Sequence, residues 1–220
     1  MKQWILLFWA GGFRSLGFVL LNTLMIAIPS ARAQTGAGTA LAFDGVNDYV
    51  SISNSAALNA FPLTVMGWIR NDEFGPDRGL VNKYAANSFN GYQIYLYEGT
   101  LHAWYFRDNT SHVWDGGRGL NGGFLSVFGW SHVAFTVDAT GGKLYVNGGL
   151  RDSRVWTGTA GAPTTAQEMR LGRYENNYFR GSMDEVSIWS VALSSNAIVN
   201  AMNRPLVASE TGLIAYWRCR

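Results

Sequence analysis

Cysteine is nearly absent from this chain. Cys219 is the single thiol in 220 residues, so no intrachain disulfide can form. Thiolate zinc and iron–sulfur spacings are excluded with it. Histidine is scarce as well, and His102, His112 and His132 neither form a helical i, i+4 metal pair nor accompany a serine or cysteine elbow. Charged residues make up 15% of the chain and nearly balance, 17 Lys+Arg against 15 Asp+Glu. Lys2, Arg14 and Arg32 lie among the first 33 residues, which hold no acid, so 14 basic and 15 acidic side chains remain beyond them. The basic stripe that nucleic-acid binding requires is missing. No long amphipathic helix separates the strand-like segments, which excludes parallel βαβ units. Gly117-x-Gly119-x-x-Gly122 has dinucleotide-loop spacing, but no capped helix succeeds it, and it reads as a surface loop.

Apolar runs are also few, and the only long one is near the start. Leu16 to Ile28 is followed by Pro29 and by Ala31-Arg32-Ala33, a small-x-small cleavage pattern. The run is shorter than the ~20 residues that span a bilayer. The expectation is a cleaved signal peptide over 1–33, a flexible lead-in over 34–39, and an exported protein with no membrane attachment. A membrane anchor is the alternative. In an exported chain, Cys219 is either idle or intermolecular.

Alternation at period two dominates the rest of the chain. In Trp130 to Asp138, Val133, Phe135 and Val137 fall on one face, and Trp130, His132, Ala134 and Thr136 on the other. Ala139-Thr140-Gly141-Gly142 supplies a turn, Lys143 to Val146 alternates again, and Asn147-Gly148 is a strong hairpin dipeptide. Leu41 to Ile52 reads as strand, Asp44-Gly45 turn, strand. Leu63 to Arg70 and Arg151 to Trp156 are further strands. Tyr92 to Tyr97 and Leu101 to Phe106 form a hairpin around Glu98-Gly99-Thr100. Both of its faces carry aromatics, as in a strand pair that is buried between layers or lines a groove. Asp115 to Gly123 and Thr157 to Thr165 read as loops. Ser194 to Met202 is the one short helix, without the glutamate that would complete a capping box. The fold class is therefore all-β, an antiparallel β-sandwich with one short C-terminal helix.

Trp130-Ser131-His132-Val133-Ala134-Phe135, Lys143-Leu144-Tyr145-Val146-Asn147-Gly148, Met169-Arg170-Leu171-Gly172-Arg173 and Gly181-Ser182-Met183-Asp184-Glu185-Val186 together resemble the laminin-G-like jelly rolls of the concanavalin A-like lectin and glucanase superfamily. The resemblance implies a jelly-roll domain over 40–206 that binds without catalysis. Residues 207–220, with Leu213 to Arg218, are either its last strand or the start of a further module. Many such domains carry a structural calcium, which needs six to eight hard oxygens. Asp44, Asn47, Asp48 and Asp184 are the candidates here, with Asp44, Asp48 and Asp184 the expected ligands. Turn-shaping by the first two is the alternative.

Related glycosidases need two carboxylates across one bond. Their Glu-x-Asp-x-x-Glu run is missing, and adjacent Asp184 and Glu185 are expected on opposite strand faces. Glycoside hydrolysis is the least supported reading, and a lectin-like glycan module the best. A module for a surface protein partner is the alternative. Sugars stack on aromatic faces beside polar groups. The expected ligand residues are His112, Trp114 and Asp115 in one loop, and Tyr174, Asn176, Asn177, Tyr178 and Arg180 in another, with Trp156 and Arg154 a weaker pair. His132 is expected to be a hydrogen-bonded structural residue.

Overall fold

The computed structural model describes residues 40–218. The expected signal peptide, the lead-in and Cys219 lie outside the described residues. The architecture is the antiparallel sandwich expected from the alternation, with two large sheets face to face.

The first sheet runs β1 (Leu41–Asp44), β15 (Arg180–Trp189), β3 (Leu63–Asn71), β9 (Trp130–Asp138), β10 (Gly141–Val146) and β11 (Gly149–Arg154). β16 (Leu213–Trp217) lies on the same edge of β15 as β1, pairing with Val186 to Trp189. The segment after 206 thus supplies a strand of this sandwich. The second sheet runs β2 (Val50–Ile52), β12 (Met169–Leu171), β4 (Arg78–Tyr84), β5 (Gly91–Tyr97), β6 (Thr100–Asp108) and β7 (Ser111–Val113), with β8 (Leu120–Phe124) also on β6. A small hairpin, β13 (Arg173–Tyr174) and β14 (Asn177–Tyr178), forms a sheet of its own.

Side-chain alternation builds the core. Val133, Phe135 and Val137 of β9 and Leu63, Val65 and Ile69 of β3 all enter it, facing the second sheet. Such apolar side chains are worth roughly 1.5–3 kcal/mol each when fully buried. The other face of β3 and β9 carries Met66 and Ala134, which pack with Trp189 beneath Ile198 and Ala201 of helix α1 (Ser195–Met202). The Ser194 hydroxyl caps α1 by accepting from the Ala197 N–H. Helix α1 therefore roofs the outer face of the first sheet.

Three local features refine the sequence expectation. Leu41 to Ile52 is strand, turn, strand as expected, but β1 and β2 belong to different sheets and the Asp44-Gly45 turn carries the chain between them. The end of the glycine-rich segment, from Leu120, is strand β8, paired to β6 through backbone groups that its glycines do not impair. Asp184 and Glu185 do not lie on regular strand. A bulge shifts the β15–β3 register between them and Ser187, with Glu185 at φ 53°. Gly67 sits opposite, where a Cβ would come within 3.1 Å of the Val186 Cα.

Candidate functional site

In the second sheet Tyr92, Ile94 and Leu96 of β5, and Leu101, Ala103 and Tyr105 of β6, point into the core. By the same alternation Gln93, Tyr95 and Tyr97, with His102, Trp104 and Phe106, form the outer face. The register sets Asn82, Gln93 and Trp104 in one row across β4, β5 and β6. Tyr95 faces His102 with ring centroids 5.3 Å apart.

The rings on this face form a continuous surface. Trp104 meets Tyr95 at 4.7 Å and Tyr84 at 5.9 Å, and Tyr84 meets Phe106 at 5.9 Å. Phe106 touches Phe89 at 5.6 Å, His112 at 5.2 Å and Trp114 at 5.3 Å. At the other end Tyr174 meets Trp104 edge-on at 6.5 Å. The two loops expected to carry ligand residues thus share one face, joined through Trp104 and Phe106. Trp104, His112, Trp114 and Tyr174 are half-buried, while Tyr95 and Phe106 are nearly fully buried beneath them.

Polar atoms concentrate here too. Among the described residues, eleven buried side-chain nitrogens and oxygens have no hydrogen-bond partner, and six are on this face. They are Asn82 Oδ1, both amide atoms of Gln93, His102 Nδ1, Trp104 Nε1 and His112 Nδ1. Leaving such atoms unpaired costs about 1–3 kcal/mol each. Concentrating them among rings makes sense where a ligand's hydroxyls complete the bonds. Burial pushes the His102 imidazole below its ordinary value, so the ring is a neutral donor and acceptor at physiological pH. Arg118 lies 3.0 Å over the Tyr97 ring and pairs with Asp77 at 3.4 Å, which closes off the charge at that end.

The expected ligand residues divide. His112 lies on β7, and its backbone N–H and C=O both bond Thr157. The Trp114 indole N–H donates to the Gly117 carbonyl at 2.8 Å, fixing the ring's angle and leaving its face for stacking. Asp115 Oδ1 accepts from the Gly117 and Gly119 N–H groups. Burial alone would raise its pKa, but these donors outweigh it and hold the carboxyl below its usual range. Asp115 shapes the loop.

Tyr174 and Asn177 pair across the hairpin, as do Arg173 and Tyr178, so the two tyrosines point from opposite faces of it. Tyr174 points toward Trp104, and burial raises its hydroxyl to about 12. Tyr178 points away and packs at 6.2 Å from Tyr49, with the Arg173 guanidinium over both rings. The expectation that Tyr174 and Tyr178 bind together is thus corrected by hairpin geometry. Asn176 is at the exposed turn, and Arg180 is on β15 beside Glu73 at 3.8 Å, off the aromatic face. Trp156 is a core cap, donating to the Asp138 carbonyl at 2.7 Å and packing edge-on to Tyr105.

The acidic candidates separate as well. Asp44 Oδ1 accepts the N–H groups of Val46, Asn47 and Asp48, and Asp48 Oδ2 accepts the Asp44 N–H. Those donors, Val46 first, hold the Asp44 carboxyl low. Asp44 pairs with Arg180 across β1–β15, whereas Asp184 lies beyond Met183, the partner of Leu41, at the far end of β1. Asp44, Asp48 and Asp184 therefore do not form one coordination sphere. No group of three or more acidic, histidine or cysteine side chains at metal-binding geometry occurs among the described residues.

His132 is buried in the strand as expected, but its Nδ1 lacks the hydrogen-bond partner expected of it. Its ring meets Trp68 edge-on at 5.4 Å, beneath Met202.

The laminin G family model described as the concanavalin A-like lectin/glucanases superfamily matches residues 44–199, and the chain belongs to that family. No curated protein matches it in sequence. Among solved structures it is similar to a candidate carbohydrate binding protein from Bacteroides ovatus (20% identity, TM-score 0.63, 82% of this chain and 52% of that one). It is also similar to the binding domain of botulinum neurotoxin DC in complex with rat synaptotagmin II (14%, 0.55, 76% and 45%). A third is domain 4 of an extracellular arabinanase from Geobacillus stearothermophilus in complex with arabinotriose (16%, 0.51, 77% and 89%). The chain spans about half the length of the first two. At these identities the likeness shows the fold.

Proposed function

We propose that this chain is an exported carbohydrate-binding module that takes saccharide rings on the outer face of its second sheet, between Trp114 and Tyr174. One observation carries the reading: a continuous ring surface coincides with six unpaired buried polar atoms. Stacking on an aromatic ring and hydrogen bonds to hydroxyls are the two things a sugar site supplies. The family, one neighbour described as a candidate carbohydrate binding protein and another in complex with arabinotriose support it. Export rests on Leu16 to Ile28 and the cleavage pattern after it. Binding without catalysis rests on the chemistry of the face, where Asp115 is engaged by backbone donors and Asp77 pairs with Arg118.

The test is a glycan array probed with wild type, Trp114→Ala and Phe89→Ala. The expected result is a defined set of glycans bound by wild type and weakened by each variant, with melting midpoints little changed. No glycan bound by wild type rejects the reading. A second reading, docking of a partner protein, is favoured by Phe74, Phe124 and Phe128. They are 51%, 59% and 72% exposed, Phe124 at the end of β8 and in contact with Phe74. An exposed aromatic patch of this kind is a common mark of a protein interface.

A further inference from the structure

Asn82, Gln93 and Trp104 make a floor whose chemistry is specific. Gln93 is fully buried, yet neither its amide oxygen nor its amide nitrogen has a partner. Asn82, 3% exposed, has an unpaired Oδ1, and Trp104 an unpaired Nε1. The three are paired residues on adjacent strands, so the row is roughly 10 Å long at strand spacing. It offers donors and acceptors in turn and carries no charge.

Beside this floor stands the β13–β14 hairpin. Its backbone packs on β4 at Gly79, where a Cβ would lie 2.6 Å from the Arg173 carbonyl oxygen. The sheet order is β4, β5, β6, and Tyr174 reaches from above β4 to Trp104 on β6. The Tyr174 and Trp104 rings therefore meet above the sheet, at the Trp104 end of the row that holds Gln93. The hairpin bonds to neither large sheet as a strand. Its base is fixed: the Gly172 N–H donates to Leu80 O at 3.1 Å, and the Phe179 N–H to Gly172 O at 2.8 Å. Phe179 is fully buried, whereas Glu175 and Asn176 at the tip are exposed. A short arm on a fixed base, with one ring against the Trp104 end of this unpaired row, has the construction of a lid.

We propose that the hairpin Arg173–Tyr178 is a lid, and that lifting Tyr174 opens the Asn82–Gln93–Trp104 floor to an uncharged, hydroxyl-rich sugar ring. This rests on the carbohydrate reading and adds the ligand class and the gate. A hydroxyl both donates and accepts, so a neutral sugar can satisfy an amide's two atoms together. A carboxylate cannot pair with the Asn82 and Gln93 oxygens, and finds no uncommitted cation on this row. Arg118, at the Tyr97 end of the face, is held by Asp77 and the Tyr97 ring, and Arg173 by the Tyr49 and Tyr178 rings.

Binding kinetics decide the matter. The probes are arabinotriose, maltotriose and cellotriose, with sialyllactose and trigalacturonic acid as acidic counterparts. Wild type, Tyr174→Ala, Gln93→Leu and Gln93→Ala are compared by surface plasmon resonance, with melting midpoints recorded. The expected result is binding to at least one neutral trisaccharide and to neither acidic one. Tyr174→Ala should raise the association rate about threefold or more, because the floor stands open before the ligand arrives. Gln93→Leu should weaken binding about tenfold or more, as should Gln93→Ala, without lowering the melting midpoint of the leucine variant. A Tyr174→Ala association rate equal to wild type, with faster dissociation, makes Tyr174 a stacking platform and overturns the lid. Unchanged affinity in both Gln93 variants, or preference for the acidic sugars, overturns the floor while the carbohydrate reading stands. No binding of any probe by wild type overturns the ligand class, and the array shows whether the carbohydrate reading falls with it.

Discussion

His132 makes the stability of this protein sensitive to mild acid. The side chain is 2% exposed, its Nδ1 is unpaired, and burial holds its pKa at about 3 against an ordinary value of 6.5. Above about pH 6.5 the ring is neutral in both folded and unfolded chains, and its contribution is constant. Below that, the unfolded chain takes up a proton that the folded protein refuses until about pH 3. Stability is therefore fully present above the unfolded value and is lost as pH falls through this window. The slope is about 1.36 kcal/mol per pH unit for one proton. At about pH 5 the loss reaches roughly 2 kcal/mol, a substantial part of a typical domain's 5–15 kcal/mol. His102, lowered by burial, adds in the same direction. Glu185 faces the same cavity as His132, and burial raises its pKa, so its titration opposes the loss. Urea unfolding of wild type and His132→Gln at about pH 5 and about pH 7.5 separates these contributions. Wild type should lose about 2 kcal/mol more than the variant over that interval. Parallel profiles would refute the buried neutral imidazole, whatever the variant's absolute stability.

Other outcomes rest on the same packing and register. Trp189→Ala should cost about 3–5 kcal/mol in chemical unfolding, because its ring fills the cluster beneath α1. Tyr178→Ala should leave glycan affinity within about twofold of wild type, since its ring packs against Tyr49 on the far side of the hairpin, whereas Trp114→Ala should weaken it by ~1 kcal/mol. Addition of calcium should leave the melting midpoint unmoved, because Asp184 lies too far from Asp44 and Asp48 to share an ion and those two are engaged by the turn's own N–H groups; a rise with metal concentration would show a site formed another way. Gly79→Ala should speed hydrogen exchange in 173–178, because its Cβ displaces the hairpin backbone that rests there.

The sheets are legible in the sequence because burial follows a period of two. Trp130 to Asp138 is strand β9 with the facing that its alternation predicts, and Asn147-Gly148 makes the β10–β11 turn with both residues at positive φ. The hairpin with aromatics on both faces is likewise visible as two strands lining either a core or a groove, and its inner face does line the core. What the sequence does not disclose is which of its residues share the outer face. Gln93 and Trp104 become neighbours only through register, and Asn82 joins them from β4, whose period is broken by a bulge between Gly79 and Val81. Tyr174 and Tyr178 look like one site because they are close in sequence, but a two-stranded turn sends them to opposite faces. Asp184 is misplaced for a similar reason: β1 does pair with β15, but antiparallel register carries Asp184 to the end opposite Asp44.

The central claim, that sugar binds across the outer face of the second sheet, is tested most directly by the indole N–H signals of the tryptophans in a two-dimensional nitrogen–proton NMR titration with an array-positive trisaccharide. The account predicts that Trp104 shifts most, as its unpaired Nε1 gains a hydroxyl partner, and that Trp114 shifts with it. Trp189, bonded to the Ser187 hydroxyl beneath α1, and Trp68, bonded to the Met202 carbonyl, should stay in place. Shifts confined to Trp130, near the exposed Phe128, with Trp104 and Trp114 unmoved, would contradict it.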